Sequence, residues 1–303
     1  MNIAKRCVSL AMSGIWVGVL LAGLVSGARA ATPFFFIQLS DPQMGFFAAN
    51  ANFEQEEANL EFAVATVNRL RPAFVVVTGD LVHDTGNPAQ MAAYRRIVAK
   101  IDRAIPVYNV AGNHDVGNQP TPASVAAYQA QFGPDFYKFE YHDFVGIVLN
   151  SCLLHAPEQV SERLAEQRRW LQHELAQARK EGARHIAVFQ HHPWFLQSVD
   201  EKDNYTNLPA KIRAEYFALF REHGVKHVFC GHYHRNAIAH HEGVEVVTTG
   251  PVGKPLGRGD QSRSGLRVVI VRESGLEHEY YDFGRLPNKI TLESPTAPSG
   301  SSR

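Results

Sequence analysis

Short runs of about five apolar residues recur along the chain, and the segments between them carry an apolar residue every three to four positions. Residues 34–39, 74–78, 107–110, 145–149, 185–189 and 226–229 are rich in Val, Ile and Phe and too short for helices, so they read as buried strands. Residues 54–70, 88–102, 161–180 and 209–223 have the helical spacing instead. A strand buried on both faces needs cover on both. The alternation therefore predicts an α/β fold with largely parallel strands and helices as cover.

The last third changes character. Residues 237–240, 244–248, 266–272 and 277–281 read as strands with no room for helices between them, which predicts a second, more antiparallel sheet packed on the first. From Leu286 the chain turns Pro- and Ser-rich and ends in "SPTAPSGSSR", an expected disordered tail over 286–303. At the other end, Lys5 and Arg6 precede an apolar stretch and then Ala28-Arg29-Ala30, the pattern of a signal peptide over residues 1–30. Export, to the periplasm if the signal is bacterial, is the expectation; an uncleaved N-terminal anchor is the alternative. Beyond residue 30 no segment is apolar enough to span a membrane. Removing those 30 residues from 303 leaves 273, enough for one large α/β domain over 31–285.

The full chain has 30 basic and 30 acidic residues; without Lys5, Arg6 and Arg29 the balance is 27 to 30, about −3. Such a charge gives no reason to expect nucleic-acid binding. Of three cysteines, Cys7 leaves with the signal, and Cys152 and Cys230 sit in or beside apolar runs, as buried free thiols would.

Chemistry collects where the strands end. The first run is followed by Asp41-Pro42-Gln43, the second by Gly79-Asp80, and the third by Gly112-Asn113-His114-Asp115. Two later runs are followed by His191-His192-Pro193 and Gly231-His232-Tyr233-His234. The carboxyl ends of strands are where α/β sheets bind ligands. One Asp there is usually a cap and one His usually structural. Five successive strand ends bearing Asp, Asn and His are a donor set for borderline divalent metals such as Mn, Fe or Zn.

These motifs resemble those of the calcineurin-like metallophosphoesterase superfamily. Its D-x-H, GD, GNH[DE], H and GHxH appear here as "DPQ", "GD", "GNHD", the His of "QHHP" and "GHYH". "SDPQ", "GHYHRNA", the "LGR" near Gly257 and "GLRVV" at 265–269 are similar, more narrowly, to a protein-phosphatase subgroup with a DxQ first motif. The resemblance implies a four-layer α/β/β/α sandwich of two packed mixed β-sheets, with two divalent metal ions at one rim. It places Asp41 and His234 on the first ion, Asn113, His191 and His232 on the second, and Asp80 between them. His192 is left to packing, because the family's ligand is the first residue of H-x-P.

A metal pair activates a shared hydroxide and clamps the phosphoryl oxygens. His114 is expected to protonate the leaving oxygen, and Asp115 to orient His114 or to cap a turn. Gln43 departs from the pattern. Its amide oxygen is a weaker donor than imidazole, and it either binds weakly or orients a bound water. Arg235, Arg258 and Lys254 are candidate phosphate-binding cations, and Tyr205 and Trp194 candidate walls on the 200–208 side. His173, His185, His223, His227, His240 and His241 repeat no ligand spacing. The expected activity is hydrolysis of a phosphorylated substrate, as a phosphomonoesterase or protein phosphatase. A phosphodiesterase or nucleotide hydrolase on the same metals, and a metal-binding recognition protein without turnover, are the alternatives.

Overall fold

β1 (Phe34–Leu39) has six buried residues in succession, and its two faces look into different cores. Phe35, Ile37 and Leu39 join a cluster with Leu60, Val64 and Ile97 from helices, whereas Phe34 and Phe36 join one with Phe189 and Phe229 from another sheet. A strand so placed is a central layer of a sandwich. The computed structural model describes residues 32–259 and 263–293, so the expected signal peptide lies outside the described residues.

After β1 come α1 (Glu54–Leu70), β2 (Val75–Val77), α2 (Pro88–Val98), β3 (Val107–Asn109), α3 (Asn113–Val116) and α4 (Pro122–Phe132). They are followed by β4 (Tyr137–Tyr141), β5 (Phe144–Val148), α5 (Ser151–His155), α6 (Ser161–Lys180), β6 (His185–Phe189), α7 (Ala210–His223) and β7 (Val225–Cys230). β8 (Ala237–His241), β9 (Val244–Thr248), β10 (Gly265–Arg272) and β11 (Gly275–Asp282) complete the order.

The strands form two mixed sheets, β11-β10-β1-β2-β3 and β4-β5-β6-β7-β9-β8. α1 and α2 cover the outer face of the first, and Leu171 and Leu175 of α6 with Phe217 and Phe220 of α7 cover that of the second. Between the sheets lies an aromatic layer in which Phe36 meets Phe229 edge-on at 5.6 Å. This is the expected four-layer sandwich.

The last third is distributed differently from the expectation. Instead of making a sheet of its own, β8 and β9 extend the second sheet, while β10 and β11 extend the first, with β10 antiparallel to β1. Of the tail expected to be disordered over 286–303, residues 294–303 lie outside the described residues and 286–293 depart from the expectation. Arg69 donates to the carbonyls of Pro287 and Asn288, Arg272 donates to that of Leu292, and Leu286, Ile290 and Leu292 pack on the core. Cys152 and Cys230 are buried and free, as expected.

One polar seam crosses the apolar interior. Gln38 donates to Thr78 Oγ1 and to the Cys230 carbonyl, Thr249 donates to Gln38 Oε1, and buried Arg267 donates to Thr249 through Nε at 2.7 Å. Arg267 Nη1 lies 2.9 Å from His278 Nδ1, and His278 Nε2 is 3.1 Å from Glu245 Oε2. His227 and His240 also face Glu245, at 3.4 and 3.8 Å. Burial lowers the Arg267 guanidinium to about 10, so it remains charged at neutral pH.

Candidate metal centre

β1, β2 and β3 of one sheet and β6 and β7 of the other end at the same rim, so five strand ends from two sheets supply the donors. Asp80, His191 and His232 place donor atoms within 4.8 Å of one another, and so do Asp41, Asp80 and His234. Asp80 belongs to both groups. Asp41, Asp80 and His191 are almost wholly buried, and no Lys or Arg pairs with either carboxylate among the described residues.

The far atom of each donor side chain fixes which atom turns inward, because a carbonyl oxygen can only accept. His191 Nδ1 donates to the Thr78 carbonyl at 2.8 Å, leaving the Nε2 lone pair inside. His232 Nε2 donates to the Tyr205 carbonyl at 3.0 Å, leaving Nδ1 inside, and His234 Nδ1 donates to the Lys254 carbonyl, leaving Nε2. Asn113 Nδ2 donates to Asn118 Oδ1 and to the Tyr205 hydroxyl, which leaves Oδ1 inside. As a result His191 Nε2 stands 2.9 Å from Asn113 Oδ1, 3.1 Å from His232 Nδ1 and 3.3 Å from Asp80 Oδ1. Side chains so held turn lone pair toward lone pair when His191 is neutral, an arrangement that a cation stabilises, whether a metal ion or a proton on His191 Nε2. The donor set of nitrogen, amide oxygen and carboxylate fits Mn, Fe or Zn.

The electrostatics agree with that demand. Burial opposes charge on His191, but Asp80 and then Asp41 raise it to about 9. Asp80 is held well below the carboxylate range in spite of burial, by His191 first and then His114 and His232. Asp41 is raised by burial, an effect that His234 and His191 lessen.

The backbone is strained to make this rim. Asp41, Gln43, Asp80, His232 and His234 have φ of 48°, 36°, 51°, 66° and 55°, left-handed values that cost non-glycine residues about 1–3 kcal/mol each. The turns also need close approach. A Cβ on Gly112 would stand 2.2 Å from the Asp80 amide nitrogen, and one on Gly231 2.1 Å from Ser40 Oγ.

Residues 36–236 match the model of the calcineurin-like phosphoesterase family. The chain belongs to that family. It is 39% identical over 272 residues to the serine/threonine-protein phosphatase CPPED1 of Bos taurus, covering 85% of this chain and 86% of that one. Its fold is similar to that of a dimetal phosphatase from Danio rerio (TM-score 0.56, 18% identity, 82% of this chain and 99% of the other). A purple acid phosphatase from yellow lupin, Lupinus luteus, shares the fold too (TM-score 0.62, 12% identity, 84% and 52%). The activity that comes with membership is hydrolysis of phosphate esters.

In this phosphoesterase His114 sits at the start of α3. Its backbone N–H donates to Asp80 Oδ1 at 2.9 Å and its Nδ1 donates to the His83 carbonyl at 2.9 Å, so Nε2 is the free nitrogen. Asp115 does not orient that ring. Its carboxylate accepts from the backbone N–H groups of Leu81 and Gly112, and so ties the β2 loop to the β3 loop. His192 packs, as expected: Nδ1 faces Ser151 Oγ and the ring stacks on His155.

Gln43 is 1% exposed, and its Oε1 is buried with no hydrogen-bond partner. Trp194 is fully buried in the second sheet's outer core and forms no wall of the site. Tyr205 does: it is 56% exposed and its ring lies 4.8 Å from that of His232. Lys254 lies against the first group through its carbonyl, with Nζ 5.1 Å from the Phe46 ring centre. Arg235 leans on Tyr233, and Arg258 is exposed on the 251–259 loop. Sequence spacing passed over His83, three residues beyond Asp80, because it stands outside every family motif.

Proposed function

We propose that this phosphoesterase is a two-metal phosphomonoesterase of phosphoserine and phosphothreonine in proteins, exported after cleavage behind Ala30. The observation that carries the metal reading is the sharing of Asp80 between two groups of inward lone pairs. Asp41, His234 and Gln43 with Asp80 hold the first ion, and Asn113, His191 and His232 with Asp80 the second. Two such ions, when bound, supply Lewis acidity and a water of lowered pKa.

The chain's own part is orientation and proton transfer. The carbonyls of Thr78, Tyr205 and Lys254 hold the three imidazoles in the tautomers that ligation needs. His114, with Nδ1 committed to His83, delivers a proton from Nε2 to the leaving oxygen. Lys254 and Arg235, neither paired with a carboxylate among the described residues, attract the phosphate, and Arg258 adds charge from the exposed loop.

The protein substrate is supported by the phosphatase relative, whose name states that activity, and by a rim left open at Tyr205. Export is supported by the basic start, the apolar stretch and Ala28-Arg29-Ala30. No helix among the described residues is long and apolar enough to cross a membrane. Turnover of phosphoserine and phosphothreonine peptides, a nucleoside monophosphate and an aryl diester should be compared in Mn after chelation. The peptides should show the highest kcat/KM; a higher value for the diester or the nucleotide overturns the substrate reading. N-terminal sequencing of secreted protein should begin at Ala31, and a chain retaining Met1 would mean an anchored enzyme.

A further inference from the structure

Gln43 stands where the family motif has histidine, and an amide has two ends of opposite polarity. Only the oxygen can serve a cation. Which end turns toward the ligands is decided by the partner of the other, and that partner is His83, in the loop after β2. Gln43 Nε2 lies 3.3 Å from His83 Nδ1. An amide nitrogen donates, so the imidazole accepts at Nδ1 and keeps its own proton on Nε2. The opposite amide end, Oε1, is buried and has no hydrogen-bond partner among the described residues. Such an oxygen is destabilising unless something binds it.

The same residue touches the acid. The His83 carbonyl accepts from His114 Nδ1, and the two rings stack with centres 4.6 Å apart at 26°. Phe46 also stacks on His83, at 5.1 Å and 28°, and meets the His234 ring edge-on at 5.1 Å. His83 is therefore held in a column of rings that reaches from one side of the first ligand group to His114.

We propose that His83 is a positioning residue. Its Nδ1 turns the Gln43 amide so that the oxygen faces the first metal, and its carbonyl and ring face fix His114. In effect the chain has divided the job of the missing motif histidine between an amide that binds and an imidazole that aims it. The inference rests on the reading of Gln43 as a ligand.

The test is calorimetric titration of the full chain with Mn after chelator treatment, for wild type, Gln43→Ala, His83→Phe, His83→Asn and the double variant Gln43→Ala/His83→Phe. His83→Phe keeps a ring in the column but has no acceptor. It should weaken the weaker of two Mn sites about tenfold or more, the usual scale for a group that supports a ligand, and leave the tighter site unchanged. The double variant should lose little beyond Gln43→Ala, because both changes remove one interaction. His83→Asn, which returns an acceptor near the position of Nδ1, should recover most of the affinity even if the phenylalanine disturbs the loop. Wild-type affinities in His83→Phe beside a weakened Gln43→Ala, or fully additive losses, overturn the role of His83 while leaving Gln43 a ligand. Wild-type affinities in Gln43→Ala remove the ligand reading itself, and the inference with it.

Discussion

Two histidine clusters lie along β7, one at each end, and only one is built to hold metal. At the rim, His191, His232 and His234 each give their outer N–H to a carbonyl and turn a lone pair inward. At the other cluster, His227, His240 and His278 surround Glu245, a similar count of imidazoles on a carboxylate. There the outer partner of His278 is a donor, Arg267, so the histidine accepts at Nδ1 and must present Nε2–H to Glu245. Glu245 is accordingly held below the usual carboxylate range by its hydrogen bond from His278. The number of histidines does not make a metal site. The group behind each ring does, by choosing the nitrogen that faces in.

The most drastic way to break the contrast is Asp80→Ala. Both rim ions should be lost together and activity should fall to background. Metal analysis after dialysis against Zn should find none held by the Glu245 cluster either; one tightly bound equivalent there would undo the distinction. Next in size, His114→Ala should lower kcat about a hundredfold or more on an alkyl phosphate. Its metal content should remain that of the wild type, and an aryl phosphate with a good leaving group should suffer less. Equal losses on both esters would contradict the proton-delivery role.

The Glu245 cluster can be probed through acid stability. Burial lowers His227 to about 4 although Glu245 opposes it, so the folded chain resists a proton that the unfolded chain accepts near 6.5. Stability is then complete above pH 6.5 and drains away as the pH falls toward 4, by about 2–3 kcal/mol. Denaturant titrations in the Asp80→Ala background, free of metal release, should show this slope, and His227→Gln should flatten it. An unchanged slope would mean that His227 protonates as readily folded as unfolded. The smallest effect is expected at Gln43. Replacement by His should tighten the weaker Mn site about tenfold by supplying a nitrogen donor, visible as a lower Mn concentration for half-maximal activity.

The ligand rim was legible because each donor follows a strand, buried in four cases and half-buried in β3, and a strand's direction fixes where its last residue points. Partnership across the fold was not. β10 pairs with β1 from more than two hundred residues away, and nothing local in 266–272 distinguishes joining the first sheet from forming a second one with its neighbours in sequence. Four elements were passed over, the short α3 and α5 together with α4 and β4, although α4 had a signal: it opens on Thr121 with Pro122 and a reciprocal bond to Ser124. β4, with its mixed exposure, lacks the continuous apolar run of a central strand. Of the two roles left open for Asp115 the cap is the one found, because two backbone N–H groups had the prior claim on its carboxylate. Trp194 misled, since an aromatic beside a ligand loop is as useful to the core beneath as to a substrate above.

Five of the seven candidate ligands sit in left-handed backbone, and this has a bearing on how the protein can be improved by engineering. Replacing any of them with glycine would relax the turn at its native φ, so a selection for thermal resistance alone would drift toward a sturdier and inert sandwich. Stabilising substitutions should instead be sought far from the rim, and a screen should score metal retention alongside melting temperature. A variant that melts higher while binding less Mn has been rescued from its function rather than strengthened in it.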